Sequence, residues 1–125
     1  MVNYTDVKKS NSEISKTLPE GLVAVFIGAT NGIGEYTLKE FARQAKSPRV
    51  YFIGRSKEAG TRIQQECSKL NPAGSFTFIS RDTSLLKNVD ELCHEIKAKE
   101  KAINLLFLSI GTLDFYTGQH MCVRA

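Results

Sequence analysis

The sequence predicts an α/β chain, a doubly wound parallel sheet of about four strands and three helices that holds only part of the complete architecture. Three observations carry this. Apolar runs of strand length open near residues 22, 49, 75 and 103, an interval of 26 to 28 residues. Each interval contains a segment with apolar residues at helical spacing, and strands alternating with helices indicate parallel strand–helix–strand units. The units share no sequence similarity, which excludes a solenoid of repeats. Finally, 125 residues, at roughly 30 per unit, hold about four strands; a complete sheet of six or seven would not fit.

Residues 1–20 are polar, rich in Ser, Asn and Lys, and read as a lead-in arm with one short helix around Glu13. Leu22–Ile27 is a continuous apolar run ended by glycine, the mark of a strand buried on both faces. Ile33, Thr37, Leu38, Phe41, Ala42 and Ala45 then recur at helical spacing until Ser47-Pro48 stops them. A strand at Arg49–Ile53 precedes a helix from Ser56, with Ala59, Ile63, Cys67 and Leu70 on one face. Phe76–Ile79 is the third strand. Leu85, Val89, Leu92, Cys93 and Ile96 mark the buried stripe of the third helix, and Ile103–Leu108 is the fourth strand. The sequence thus divides into the arm at 1–20, an α/β half-domain at 21–111 and an irregular tail at 112–125.

Composition excludes several classes. With 42% hydrophobic and 24% charged residues the chain is globular rather than disordered. At this size it buries roughly two thirds of its extended surface, enough for a core without metals or disulfides. The net charge of +4 is spread, +1 over residues 1–48 and +3 over residues 49–125, with no basic block. Nucleic acid is therefore not an expected partner, whereas an acidic small ligand is compatible. Cys67, Cys93 and Cys122 are far apart and odd in number, so neither a metal site nor a disulfide framework is expected. Cys67 and Cys93 read as small hydrophobes on helix stripes, and His94 as a surface residue. No apolar run has signal-peptide or membrane-span length, so a cytoplasmic location and no membrane partner are expected.

The first strand runs directly into Gly28-Ala-Thr-Asn-Gly32-Ile-Gly34, where a helix opens. Gly28 permits a sharp turn out of the strand, Gly32 allows a pyrophosphate close to the backbone, and Gly34 allows the helix to pack tightly. The helix N-terminus then offers free amide groups to phosphate. The spacing is not that of a P-loop, because no Gly-Lys-Ser/Thr follows.

This segment resembles the cofactor motif of the short-chain dehydrogenase/reductase family, Thr-Gly-x-x-x-Gly-Ile-Gly, with Gly28, Gly32, Ile33 and Gly34 matching and Ile27 in place of Thr. The likeness runs from about Leu22 to Gly111. The wording of Tyr51–Ser56 and Asn104–Gly111 is most similar to fungal members, including those of secondary-metabolite biosynthesis such as polyketides and terpenoids. The resemblance implies a Rossmann-like fold, a bound dinucleotide and carbonyl/alcohol oxidoreduction, with Asn31 in the phosphate loop. It also carries over Asp82, which family members aim at the adenine ring; capping of the next helix is the other role open to it. The family's Asn-Asn-Ala-Gly after the fourth strand is here Leu108-Ser-Ile-Gly111, leaving Ser109 and Gly111 as cofactor-lining candidates.

The end of the second strand bears on the cofactor. An acidic residue there binds the ribose 2′-hydroxyl of NAD, whereas an Arg accommodates the 2′-phosphate of NADP. Gly54-Arg55-Ser56-Lys57 offers no acid until Glu58, so NADP(H) is favoured over NAD(H), with Arg55 on the phosphate and Ser56 as a second contact or a helix cap.

The family's catalytic Ser and Tyr-x-x-x-Lys follow the fourth strand. Such a tyrosine needs a neighbouring cation to lower its pKa from near 10. The one formal match, Tyr4 with Lys8, lies in the polar arm and reads as coincidence, while Tyr36, Tyr51 and Tyr116 have Glu40, Arg55 and His120 four residues on. His120 and Cys122 fall in the tail and read as no nucleophile pair. The expectation is a chain truncated before its catalytic residues and inactive alone, with a small-molecule substrate only in a complete homologue. Two alternatives stay open, a non-catalytic nucleotide-binding module and an inert fragment. With strand 4 interior in the complete sheet, its exposure would invite self-association through Ile103–Leu108.

Overall fold

The computed structural model describes residues 1–111; the tail, with Tyr116, His120 and Cys122, lies outside the described residues. Two helices, α1 (Tyr4–Ser12) and α2 (Ile14–Thr17), lead into β1 (Val23–Ile27). Then α3 (Gly32–Gln44), β2 (Arg49–Gly54), α4 (Lys57–Leu70), β3 (Ser75–Ser80), α5 (Leu86–Lys99) and β4 (Leu105–Leu108) alternate. The four strands form one parallel sheet in the order β3-β2-β1-β4. The chain winds outward through β2 to β3, then crosses back beyond β1, so the order reverses between β1 and β4. This is the doubly wound, Rossmann-like arrangement that the alternation predicts, and ligands in such sheets bind beyond the carboxyl ends of the strands at that reversal.

Winding in both directions puts helices on both faces. Residues alternate sides along each strand, and the core divides accordingly. Ala24, Phe26, Val50, Phe52 and Phe76 meet Leu38 and Ala42 of α3 and Ile63 and Cys67 of α4. On the other side Val23, Val25, Tyr51, Ile53 and Ile79 meet Leu92 and Ile96 of α5. Each large side chain fully removed from water contributes roughly 1.5–3 kcal/mol. Phe26 anchors the first face, its ring 5.5 Å from Phe107 and 5.7 Å from Phe41.

Several sequence expectations are corrected. Ile33 is 75% exposed rather than part of the α3 stripe, because Gly34, Leu38 and Ala42 take the inward line and a residue one step from it is rotated by about 100°. The same rotation exposes Cys93 beside the inward Leu92–Ile96 line. Leu85 is exposed as the N-cap of α5. Leu70 is exposed too, since α4 ends there and Asn71 takes over, its Nδ2 donating to the carbonyls of Ala42 (3.0 Å) and Ala45 (2.7 Å). In the arm, Glu13 caps α1 between two helices instead of lying within one; Asn3 caps the first through Thr5 N–H at 3.1 Å. The fourth strand begins at Leu105, as Asn104 turns its side chain to accept from Val23 N–H at 2.9 Å.

Among the described residues β4 is an edge, with Leu106 56% and Leu108 62% exposed. No helix among them is long and apolar enough to cross a membrane.

Candidate functional site

Parallel pairing places the carboxyl ends of β1, β2, β3 and β4 along one edge, and the connections leaving them enclose an open cleft of about 490 Å³. Its floor at the reversal point is Gly28, Ser109, Ile110 and Gly111. Thr30 and Asn31 form the wall from the glycine loop, Ile53, Gly54 and Arg55 that from β2, and residues 81 to 84 that from β3.

The glycine loop is tight for identifiable reasons. Gly28 has φ +84°, a conformation that L residues adopt only with strain, and a Cβ there would collide with the carbonyl of Ser109. Gly34 has its own constraint: a Cβ would run into the Gly28 carbonyl and Ala29, so α3 can sit against the turn only with glycine in its first turn. Gly32 has φ +53° and open space where a Cβ would be. Asn31 is the N-cap of α3 but makes no side-chain cap hydrogen bond, so the first amide groups of α3 remain available to an outside acceptor. Thr30 packs into the space left by the missing side chain of Gly54, which ties the loop to the end of β2.

The loop is braced from behind. Glu35, in the first turn of α3, accepts from both terminal nitrogens of Arg62 on α4, at 2.8 and 3.0 Å, and also from Lys39. The Arg62 hydrogen bonds, followed by Lys39, hold the Glu35 carboxyl at a pKa of about 2. Lys39 and Arg62 also reach Glu66. Behind this network Cys67 is fully buried, and burial pushes its thiol up to about 11.

The structure brings Gly28, Asn31, Arg55, Asp82, Ser109 and Gly111 together around the cleft. Gly32, Ile33, Gly34 and Ser56 do not line it. Ser56 caps α4, its Oγ accepting from Ala59 N–H at 3.2 Å. Asp82 is not a helix cap, since α5 starts at Leu86 behind the N-cap Leu85. It instead closes a local turn, accepting from Ser84 N–H (3.1 Å) and Ser84 Oγ (2.7 Å). These bonds, with a smaller contribution from Arg55, hold its carboxyl below the ordinary carboxylate range. Sequence reasoning missed Thr30, Ile53, Gly54, Arg81, Thr83, Ser84 and Ile110. Arg81 could have been found from register alone, because it follows β3 as Arg55 follows β2.

A family model described as short chain dehydrogenase matches residues 22–123. The chain belongs to the short-chain dehydrogenase family. Among its relatives, an oxidoreductase of Emericella nidulans is 45% identical over 112 residues, covering 89% of this chain and 33% of its own length. A short-chain dehydrogenase/reductase of Stachybotrys chartarum is 36% identical over 90 residues, covering 66% of this chain and 25% of its own length. The fold is similar to that of L-sorbose reductase from Gluconobacter frateurii, solved with NADPH and L-sorbose: TM-score 0.71, 18% identity, 81% of this chain and 37% of that one. The chain spans a quarter to about a third of the length of the relatives it matches. The likeness to fungal members read from the sequence agrees with these relatives.

In this member of the family, Tyr4 and Lys8 lie on α1, with Lys8 Nζ 5.5 Å from the centre of the Tyr4 ring. They are remote from the cleft: the arm meets the sheet at the opposite edge, through the Glu20–Lys46 bridge ahead of β2.

Proposed function

We propose that residues 21–111 form the dinucleotide-binding half-domain of a short-chain dehydrogenase/reductase that uses NADP(H) for carbonyl/alcohol oxidoreduction. The observation that carries the reading is the cleft itself: a glycine turn that admits no side chain, an uncapped helix N-terminus, and a cationic wall with no carboxylate at the end of β2. The loop from Gly28 to Gly34 would receive the pyrophosphate, Arg55 the 2′-phosphate, Asp82 the adenine, and Ser109 and Gly111 the far end of the cofactor. Ser56 would act from the mouth of α4, and Ile33 from the exposed first turn of α3.

When bound, the dinucleotide supplies the hydride-carrying nicotinamide. The chain's own residues do the binding: amide groups of α3 meet anionic oxygens, and Arg55 forks onto a phosphate. Among the described residues no tyrosine with a lysine four positions on stands in the cleft, so we assign proton transfer elsewhere and expect the 125 residues alone to bind without turnover. The departure at Leu108-Ser-Ile-Gly111 leaves one hydroxyl where the family has two amides. The resemblance of Tyr51–Ser56 and Asn104–Gly111 to fungal members of secondary-metabolite biosynthesis supports a place there, such as that of polyketides or terpenoids.

Calorimetric titration of the chain with NADPH and NADH tests the reading. Tighter binding of NADPH is expected; equal affinity, or no binding of either, would overturn it. The exposed edge at β4 supports pairing with a second copy, which sedimentation would show as a dimer.

A further inference from the structure

We propose that Arg81 is a second specificity-determining arginine, acting with Arg55 to select a ribose that carries a 2′-phosphate. The inference rests on the NADP(H) reading above and deepens it.

The geometry begins with register. The last pair of the β2–β3 ladder is Gly54 with Ser80, and Arg81 N–H donates to the Gly54 carbonyl at 3.0 Å. Arg55 and Arg81 therefore leave adjacent strand ends, roughly 5 Å apart at the backbone, and both line the cleft. Two cations so placed repel one another, and the single charge of Asp82, whose carboxyl pKa Arg55 helps to lower, offsets only one of them.

The bonding of Arg81 is incomplete. Its Nε is buried and has no hydrogen-bond partner. Its one carboxylate neighbour among the described residues is Glu91 of α5, with Nη2 to Oε2 at 3.9 Å, beyond hydrogen-bond distance. The nearby Asp82 forms no ion pair with it among the described residues; Asp82 Oδ1 accepts from Ser84 N–H and Ser84 Oγ instead. Arg49 and Arg62, in contrast, each fork onto both oxygens of a carboxylate. A buried donor left unpaired is costly and calls for an explanation. A phosphate monoester supplies three acceptor oxygens and close to two negative charges, more than one arginine can satisfy. The ribose 2′-hydroxyl of the unphosphorylated cofactor supplies neither, so Arg81 favours one ribose over the other instead of strengthening binding uniformly.

The adenosine halves of the two cofactors isolate this effect, and the full chain is titrated with 2′,5′-ADP and with 5′-AMP. The unmodified chain is expected to prefer 2′,5′-ADP. Arg81→Gln should cut that preference by roughly 10-fold, the loss of a charge-assisted contact, with 5′-AMP affinity unchanged; Arg81→Lys should restore part of it. Glu91→Gln should leave the preference intact or raise it. If Arg81 only braces α5, Arg81→Gln weakens both ligands equally and Glu91→Gln does the same, which overturns the proposal. An unchanged ratio in Arg81→Gln, with the ratio lost in Arg55→Gln, also overturns it while the NADP(H) reading stands. Equal or absent binding of the two ligands by the unmodified chain overturns that reading, and this proposal with it. Retention of the thermal melting profile in each variant keeps these outcomes separate from misfolding.

Discussion

Where the strands begin, Arg49 forks onto Glu100 with both contacts at 2.8 Å, and Tyr51 donates its hydroxyl to the same carboxylate at 2.9 Å. Where they finish, Arg55 forms no ion pair among the described residues and Arg81 has a buried, unpartnered nitrogen. Both edges are built by the same parallel sheet. At the first, charge is consumed internally: Glu100 is nearly enclosed, and the Arg49 hydrogen bonds, then that from Tyr51, hold its carboxyl below the ordinary range. At the second, charge faces a cleft floored by glycine. The contrast separates arginines that hold the fold together from arginines available to a ligand.

The largest effects should come from the glycine loop. Gly34→Ala forces a methyl group into the Gly28 carbonyl, and Gly28→Ala combines a collision with a left-handed backbone. Each should lower stability by about 3 kcal/mol, read as the midpoint of urea unfolding. Gly32→Ala meets no atom and should cost only about 1 kcal/mol while weakening dinucleotide binding. Unchanged dinucleotide affinity in Gly32→Ala would deny Gly32 a role in binding.

Reversing charge at the two edges should sharpen the contrast further. Arg55→Asp should weaken NADPH binding by roughly 100-fold and leave the melting temperature nearly unchanged. Glu100→Gln should do the opposite, lowering the melting temperature by a few degrees with cofactor affinity intact. A swap of these outcomes would refute the division of labour between the edges.

The brace behind the loop predicts a pH dependence. Glu35 has a folded-state pKa of about 2 against an ordinary 4.5, so the folded chain binds fewer protons than the unfolded one between those values. Its contribution is therefore complete above the ordinary value and lost as pH falls from about 4.5 toward 2. Melting temperatures between pH 6 and 2 should fall less steeply in Glu35→Gln than in the unmodified chain. The smallest effect concerns the thiols: exposed Cys93 should react with a maleimide in the folded chain, whereas buried Cys67 should react only on unfolding. Early labelling of Cys67 would show that the α3–α4 face opens without global unfolding.

Helical phase was the weakest part of what the sequence conveyed. Leu92 and Cys93 both satisfy an apolar stripe on paper, yet only one can face the sheet, and packing against Val25 and Ile53 selects Leu92. Ile33 shows the same limit at the site. It sits inside the glycine motif, but the close approach that makes Gly34 necessary turns Ile33 to solvent. Asp82 fits two roles as a sequence position, and only the start of α5 at Leu86 separates it from the helix cap.

By itself the sequence determined the α/β class, the four strands and the turn built on Gly28, Gly32 and Gly34. Strand alternation and glycine placement are local properties, set by side-chain hydrophobicity and backbone sterics within a few residues. Tertiary structure alone decided which charges are used up. Arg49, Arg55, Arg62 and Arg81 are equivalent as letters, and only the register of distant strands and the crossing of α3 over α4 let two of them fork onto carboxylates and leave two lining the cleft. Ion pairing depends on distances between segments far apart in the chain, and no local pattern encodes those.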